Sequence, residues 1–342
     1  MLGIILVQCF ITNPGLVERH YSNGFYIYLS KGVRFLLGPF PFSVGDLFYM
    51  ALIVWLVWSF YSMAKQYRKE DGKWGFLWNK LQRSLLAGCW IWLCFHLMWG
   101  VNYYRKSIPE QFGLEKKKPE KEELERFALI MLDEVNQNAS ARERDHGLVM
   151  NAERTKNAYL KLAEKYPSLH YTPVSFKPSL FGSIGNYMGY SGYFNPISGE
   201  AQVNDRMPDF TQPFTGLHEV AHQLGYAKES DASFIGFLAA YHSGDSSFKY
   251  SAALEMFLFA DGALYRFDST RAKALKKALP MAAKRDLESY KAFYRKYQGP
   301  IDDLTTWFYA HFLRWNNQPE GMFSYNRSMV YVLRYILDNP SK

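Results

Sequence analysis

The chain has 342 residues, 48% of them hydrophobic and 18% aromatic, with 40 Lys+Arg against 32 Asp+Glu and three cysteines. So much apolar material over that length excludes a disordered tail, the scarcity of cysteine excludes a disulfide scaffold, and one or two domains with real cores are implied. The mean hydropathy of −0.24 resembles that of a soluble protein, but it averages over apolar residues that are gathered into blocks.

Leu2 to Thr12 is apolar but short, and reads as an abbreviated first span rather than a cleaved signal peptide. The following segment, GFYIYLSKGVRFLLGPFPF, carries Lys31 and Arg34 in an apolar run and suggests a helix lying in a membrane interface. Leu47 to Ala64 is then 18 residues without a formal charge, and Ser84 to Tyr104 is 21. Both have the length that a hydrocarbon slab of about 30 Å demands of a helix, and neither shows the polar stripe of a core helix. Tyr49, Tyr61, Trp99, Tyr103 and Tyr104 near their ends fit an interfacial belt. His96, inside the second run, reads as a packing residue.

The connection Lys65 to Arg83 holds six basic residues in 19, against three in 34 between Asn13 and Asp46. The denser loop is expected in the cytoplasm, which sends the chain after Tyr104 to the outer side of a multi-pass cell-membrane protein. Arg105, Lys106 and Lys116 to Lys118 argue the other way, but long domains translocate largely regardless of charge. Cys9, Cys89 and Cys94 all fall in the apolar segments, so residues 105–342 contain no thiol and cannot house a cysteine protease or a Cys-ligated zinc site. The division expected is a membrane region, 1–104, with two or three transmembrane helices, and an extracytoplasmic domain, 105–342.

Within that domain Pro119 and the acids Glu120, Glu122 and Glu123 open a helix through Val135, and a second spans Asn151 to Lys165. Tyr166 to Pro213, rich in Gly, Pro, Ser and Tyr, reads as short strands and turns, with Tyr193 to Asn204 placed to serve as an edge strand. From Thr215 the chain is helical nearly to its end, giving an α+β, mainly helical class. Lys276, Lys277, Lys284 and Arg285 form a solvated helix face; no nucleic-acid motif accompanies them, and no nucleic-acid partner is expected.

The chemistry lies in Thr215 to Gly225, TGLHEVAHQLG, which contains H-E-x-x-H. Residues four apart share a helix face, so His218 and His222 can direct their imidazoles at one metal ion while Glu219 reaches a water on it. Zn2+ suits imidazole and carboxylate ligands in a tetrahedral site with one position left for water, and Glu219 would shuttle a proton from that water to the leaving amine of a peptide. Position 228, where a third histidine could stand, is Lys228. Glu229 heads an E-x-x-A pattern similar to the one that supplies the ligand glutamate in many two-histidine peptidases; Asp231 and Glu255 are its rivals. Tyr325 and Arg327 are candidates to stabilise an oxyanion.

His218 through Phe234 resembles the pattern H-E-x-x-H-Q-x-G-[FY]-A-x-E-x-[ED]-A-[NS]-F of a bacterial family of uncharacterised membrane proteins in the zincin clan, with Asp231 and Ser233 where Glu and Asn are commoner. P-F-S from Pro41, G-x-x-x-P-x-x-G-E-A-x-V-N from Gly192 and S-Y-x-R from Ser324 extend the resemblance over most of the chain. It implies about three N-terminal spans followed by an external metallopeptidase-like domain. The expected function is membrane-anchored, zinc-dependent hydrolysis of a peptide or protein substrate at the lipid bilayer, with a non-catalytic role in envelope assembly or partner binding as the alternative. Intramembrane proteolysis fits less well, because Asp209, Lys228, Glu229 and Asp231 flank the motif and the following apolar run, Phe234 to Tyr241, is only eight residues.

Overall fold

A computed structural model describes residues 2–140, 147–319 and 324–338, the side chains of 147–150 and 324–326 excepted. Leu2–Ile11 (α1) is a ten-residue apolar helix. Tyr26–Leu37 (α2) leaves Phe35 and Leu36 exposed, as an interfacial helix does, but buries Tyr26, Ser30 and Arg34 against the rest of the protein. The guanidinium of Arg34 stacks over the Tyr171 ring, 5.3 Å from its centroid.

Val44–Lys69 (α3) is, among the described residues, the one helix long and apolar enough to cross a membrane, and none of its apolar window is buried. Its start is fixed by polar chemistry. Ser43 Oγ accepts from the Asp46 amide at 2.9 Å, and the Glu200 carboxylate accepts from Ser43 Oγ and from the amides of Val44 and Gly45 at 2.9 Å each. A buried acid thereby satisfies first-turn donors and sits at the positive end of the helix dipole.

Lys73–Met98 (α4) corrects the expected second run in two ways. It begins earlier, so that Lys73, Lys80 and Arg83 lie in its first half, and it stops at Met98 instead of continuing to Tyr104. Residues 100–104 form a 3-10 turn, and Trp99 and Tyr103, expected in an interfacial belt, are 6% and 1% exposed. The physical reason is Asn102, fully buried, whose Oδ1 accepts from Ser22 Oγ at 2.8 Å. An amide needs such a partner, and hydrocarbon offers none.

The expected helices in the following region are present as Lys121–Asn138 (α5) and Gly147–Lys165 (α6). Three short strands come next, Phe176–Pro178 (β1), Gly192–Asn195 (β2) and Glu200–Val203 (β3), with the helix Gly182–Met188 (α7) between the first two. The sheet order is β1-β3-β2, with β1 parallel and β2 antiparallel to β3, and Ala201 lies opposite both Phe176 and Phe194. Gly192 to Asn204, where the sequence suggests one or two extended segments around a Pro-Ile-Ser-Gly turn, forms two strands of a hairpin, with β2 at the edge and β3 in the centre.

Helices complete the chain: Gln212–Gln223 (α8), Glu229–Ser243 (α9), Ser246–Tyr265 (α10), Ser269–Lys277 (α11), Met281–Tyr297 (α12), Pro300–Trp315 (α13) and Ser324–Leu337 (α14). Leu124, Phe127, Met131 and Val135 recur at helical spacing on α5 and pack along α10, where Leu254 and Phe257 are also buried. Arg334 of α14, 1% exposed, pairs with Glu123 of α5 at 2.6 Å. Lys276, Lys277, Lys284 and Arg285 occupy exposed or half-exposed positions on α11 and α12.

The boundary expected after residue 104 is crossed by many contacts. Tyr26 Oη and Ser30 Oγ both donate to the Gln223 carbonyl, and Arg105 Nη1 donates to the Gly225 carbonyl while its Nη2 pairs with Glu18 at 2.6 Å. Residues 17–46 therefore complete the packing around the end of α8.

Candidate metal centre

Pro213, which needs no amide partner in a first turn, starts α8 after Thr211. The helix buries Leu217, Val220 and Ala221 fully, and just past its end Gly225, with a φ of +86°, lets the chain reverse into α9. The two helices cross closely at Gly236, where a Cβ would stand 3.1 Å from the backbone nitrogen of His218. This crossing brings Glu229, the first residue of α9, onto the two imidazoles.

His218 Nε2 lies 3.1 Å and His222 Nε2 3.6 Å from Glu229 Oε2. Among the described residues these three form a group whose ligand atoms lie within 4.8 Å of one another. Ligands about 2.0–2.1 Å from a tetrahedral zinc are themselves roughly 3.3 Å apart, so the spacing fits that ion. The outer nitrogens are also engaged: His218 Nδ1 meets Ser233 Oγ at 3.0 Å, and His222 Nδ1 meets the Tyr226 carbonyl at 2.7 Å. Such partners fix ring orientation and leave both Nε2 atoms facing inward.

Asp231 is not part of the cluster. It accepts from Ser230 Oγ at 3.1 Å and feels Lys228, Arg105 and Arg327. Glu255 lies half-buried on α10, where loss of solvation pushes it up to about 7, and its charge acts on Tyr290 and Tyr294. The Tyr325 side chain lies outside the described residues, and Arg327 is exposed and bonds to Tyr331 beside Asp231.

Glu219 is buried, and its Oε2 has no hydrogen-bond partner. Strand β2 passes directly over it, since a Cβ on Gly192 would lie 3.0 Å from Glu219 Oε1. An orphaned buried carboxylate oxygen beside three metal-type ligands matches the demand for a water held between Glu219 and a cation. Burial pushes the Glu219 carboxyl up to about 8, with the Glu229 charge adding to the rise and His222 opposing it. Burial also lowers His218, whereas for His222 the Glu229 and Glu219 carboxylates outweigh burial and lift it to about 9. Glu229 is held well below the usual carboxylate range: burial alone would raise it, but His222 and His218 overcome that.

Four neighbours of the cluster come from distant parts of the chain. Tyr309 Oη on α13 donates to Glu229 Oε1 at 2.6 Å, and the Glu229 amide donates to Gln318 Oε1 at 3.0 Å. Trp99 meets the His222 ring edge-on at 5.9 Å and donates to the His222 carbonyl at 3.3 Å. Tyr103 is buried, and the Glu229 charge adds to burial in raising its hydroxyl. Gln223, next to the second histidine, donates to the carbonyls of Ser175 and Gly199 and so ties the sheet to α8.

A family model matches residues 21–333. The chain belongs to that family, Protein of unknown function (DUF3810). No curated protein and no solved structure matches the chain. The DUF3810 match runs from before α2 to within α14 and takes in α3, α4, His218, His222 and Glu229.

Proposed function

We propose that this DUF3810 chain is a membrane-anchored, zinc-dependent peptide hydrolase whose site lies on the extracytoplasmic side. The observation that carries the reading is the convergence of His218, His222 and Glu229 beside the orphaned carboxylate oxygen of Glu219. His218 and His222 would hold the ion through Nε2 and Glu229 through Oε2, with Ser233, Tyr226 and Tyr309 keeping those ligands in orientation. Zinc in such a site supplies Lewis acidity, lowering the pKa of water and polarising a carbonyl.

Glu219 takes the proton released by the attacking water and returns it to the leaving amine. A carboxyl whose environment brings it near neutrality suits both transfers. Strand β2, at the sheet edge and in contact with Glu219, is the place for an extended substrate backbone to pair. The outward orientation is supported by the six basic residues between Lys65 and Arg83, which mark the opposite, cytoplasmic end of α3 and α4.

The test is metal and activity analysis of the full chain purified in detergent. The wild type is expected to carry about one zinc, matching the one such triad among the described residues. His218→Ala should lose the metal, whereas Glu219→Gln should keep it and lose hydrolysis of a peptide library. Zinc at full occupancy in His218→Ala would sink the site, and equal peptide cleavage by Glu219→Gln would sink the mechanism.

A further inference from the structure

Helix α13 is inside out for a water-soluble protein. Its inner face is narrow: Leu313 is fully buried and half-buried Tyr309 reaches Glu229. The opposite face carries Ile301, Leu304, Phe308 and Trp315 at spacings of three, four and seven, each 57–80% exposed, with Trp307 beside them. A soluble helix turns its apolar stripe inward, and a contiguous outward stripe marks a contact surface.

The stripe continues onto α7, which packs against α13 and exposes Ile184 and Tyr187. Leu180, just before α7 and also exposed, donates its amide to Asp46 Oδ2 at 2.7 Å. Asp46 stands in the first turn of α3, immediately before the exposed run that begins at Leu47. The apolar surface of α7 and α13 is therefore tied directly to the point where α3 leaves the domain. Arg295 and Lys296, in the last turn of α12, and Asp302 and Asp303, in the first turn of α13, place charges of both signs at one end of the stripe, where a zwitterionic headgroup layer would lie.

We infer that α7 and α13 rest in the surface of the lipid bilayer that α3 enters, so that the wall of the metal centre carrying Tyr309 is a membrane-facing helix. The occupant of the stripe is lipid. Aromatic and aliphatic residues along one side of a helix, with charged groups at its margin, are what an interfacial helix requires. The inference rests on α3 being a membrane span, and its test separates the two.

Spin labels are placed on single cysteines at Val54, Ile184, Phe308 and Lys277, in a full chain whose Cys9, Cys89 and Cys94 are serine. The protein is reconstituted in phosphatidylcholine vesicles containing phosphatidylglycerol, and collision with oxygen and with a water-soluble nickel chelate reports the depth of each label. Val54 should lie deep in the hydrocarbon, Ile184 and Phe308 roughly 5–10 Å into the headgroup and acyl boundary, and Lys277 in water. If Val54 is deep while Ile184 and Phe308 collide with nickel as freely as Lys277, the interfacial assignment is overturned and the span stands. Labels at 184 and 308 shielded from both reagents would overturn it in favour of a protein partner. A water-exposed Val54 would overturn the span and the inference together.

Discussion

Helices α3 and α9 are about equally apolar on average and neither is one-sided, yet α9 is almost wholly buried in protein while α3 is almost wholly exposed. What separates them is the size of their side chains. Helix α9 is built from small residues, Ala232, Ser233, Gly236, Ala239 and Ala240 among them, which let the backbone of α8 approach to contact at Gly236. Helix α3 presents Trp55, Trp58, Phe60 and Tyr61, bulky groups that hold a neighbouring backbone away and suit lipid. Equal apolarity thus leads to two destinations, and small residues mark the one that brings Glu229 onto His218 and His222.

The contrast can be broken or sharpened by substitution. Phe234→Ala, which empties a fully buried site on α9, is expected to cost about 3–5 kcal/mol of unfolding free energy by denaturant titration, the largest effect in the set. Ser233→Ala leaves the fold intact but removes the partner of His218 Nδ1, so zinc affinity measured by competition with a chelator should fall roughly 10–100-fold. An unchanged affinity would mean that Ser233 only packs.

Glu123→Gln tests the ion pair that ties α5 to α14. Arg334 and the Glu120 amide hold the Glu123 carboxyl down at about 2, against an ordinary value of 4.5. A folded value below the unfolded one gives stability that is present above about pH 4.5 and is lost as the pH falls towards 2. Because Glu123 is partly solvent-accessible, the loss in the variant at neutral pH should be about 1 kcal/mol, and the difference from wild type should vanish in acid. Trp58→Ala, on α3, should change the unfolding of the domain in detergent by less than about 0.5 kcal/mol. A cost comparable to that of Phe234→Ala would mean that α3 is packed against protein, and the contrast would fail.

The core of the candidate site was legible in the sequence because its signal is local. His218, Glu219 and His222 lie within one and a half helical turns, and Glu229 follows seven residues later across a glycine turn. The helical class was legible for a similar reason, since α5 and α6 declare themselves through periodicity. What could not be read came from far along the chain. Tyr309 meets Glu229 across 80 residues and Trp99 meets the His222 carbonyl across 123, and neither a tyrosine in an amphipathic helix nor a tryptophan at the end of an apolar run announces such a partner. The run to Tyr104 misled because hydropathy registers the absence of charge, whereas the buried amide of Asn102, which decides where its residues go, counts for little in such an average. Ser43 and Glu200 appeared in two separate motif fragments, and only the fold unites them as one cap.

That cap has a consequence for how the molecule can be released. The first amides of α3 end on Glu200 in the centre of the sheet, and α2 supplies the hydroxyls that satisfy the Gln223 carbonyl at the end of the histidine helix. A fragment cut free after residue 104 would carry a buried carboxylate and a buried carbonyl stripped of their donors. Residues 105–342 are therefore expected to keep this packing only while residues 26–45 stay attached.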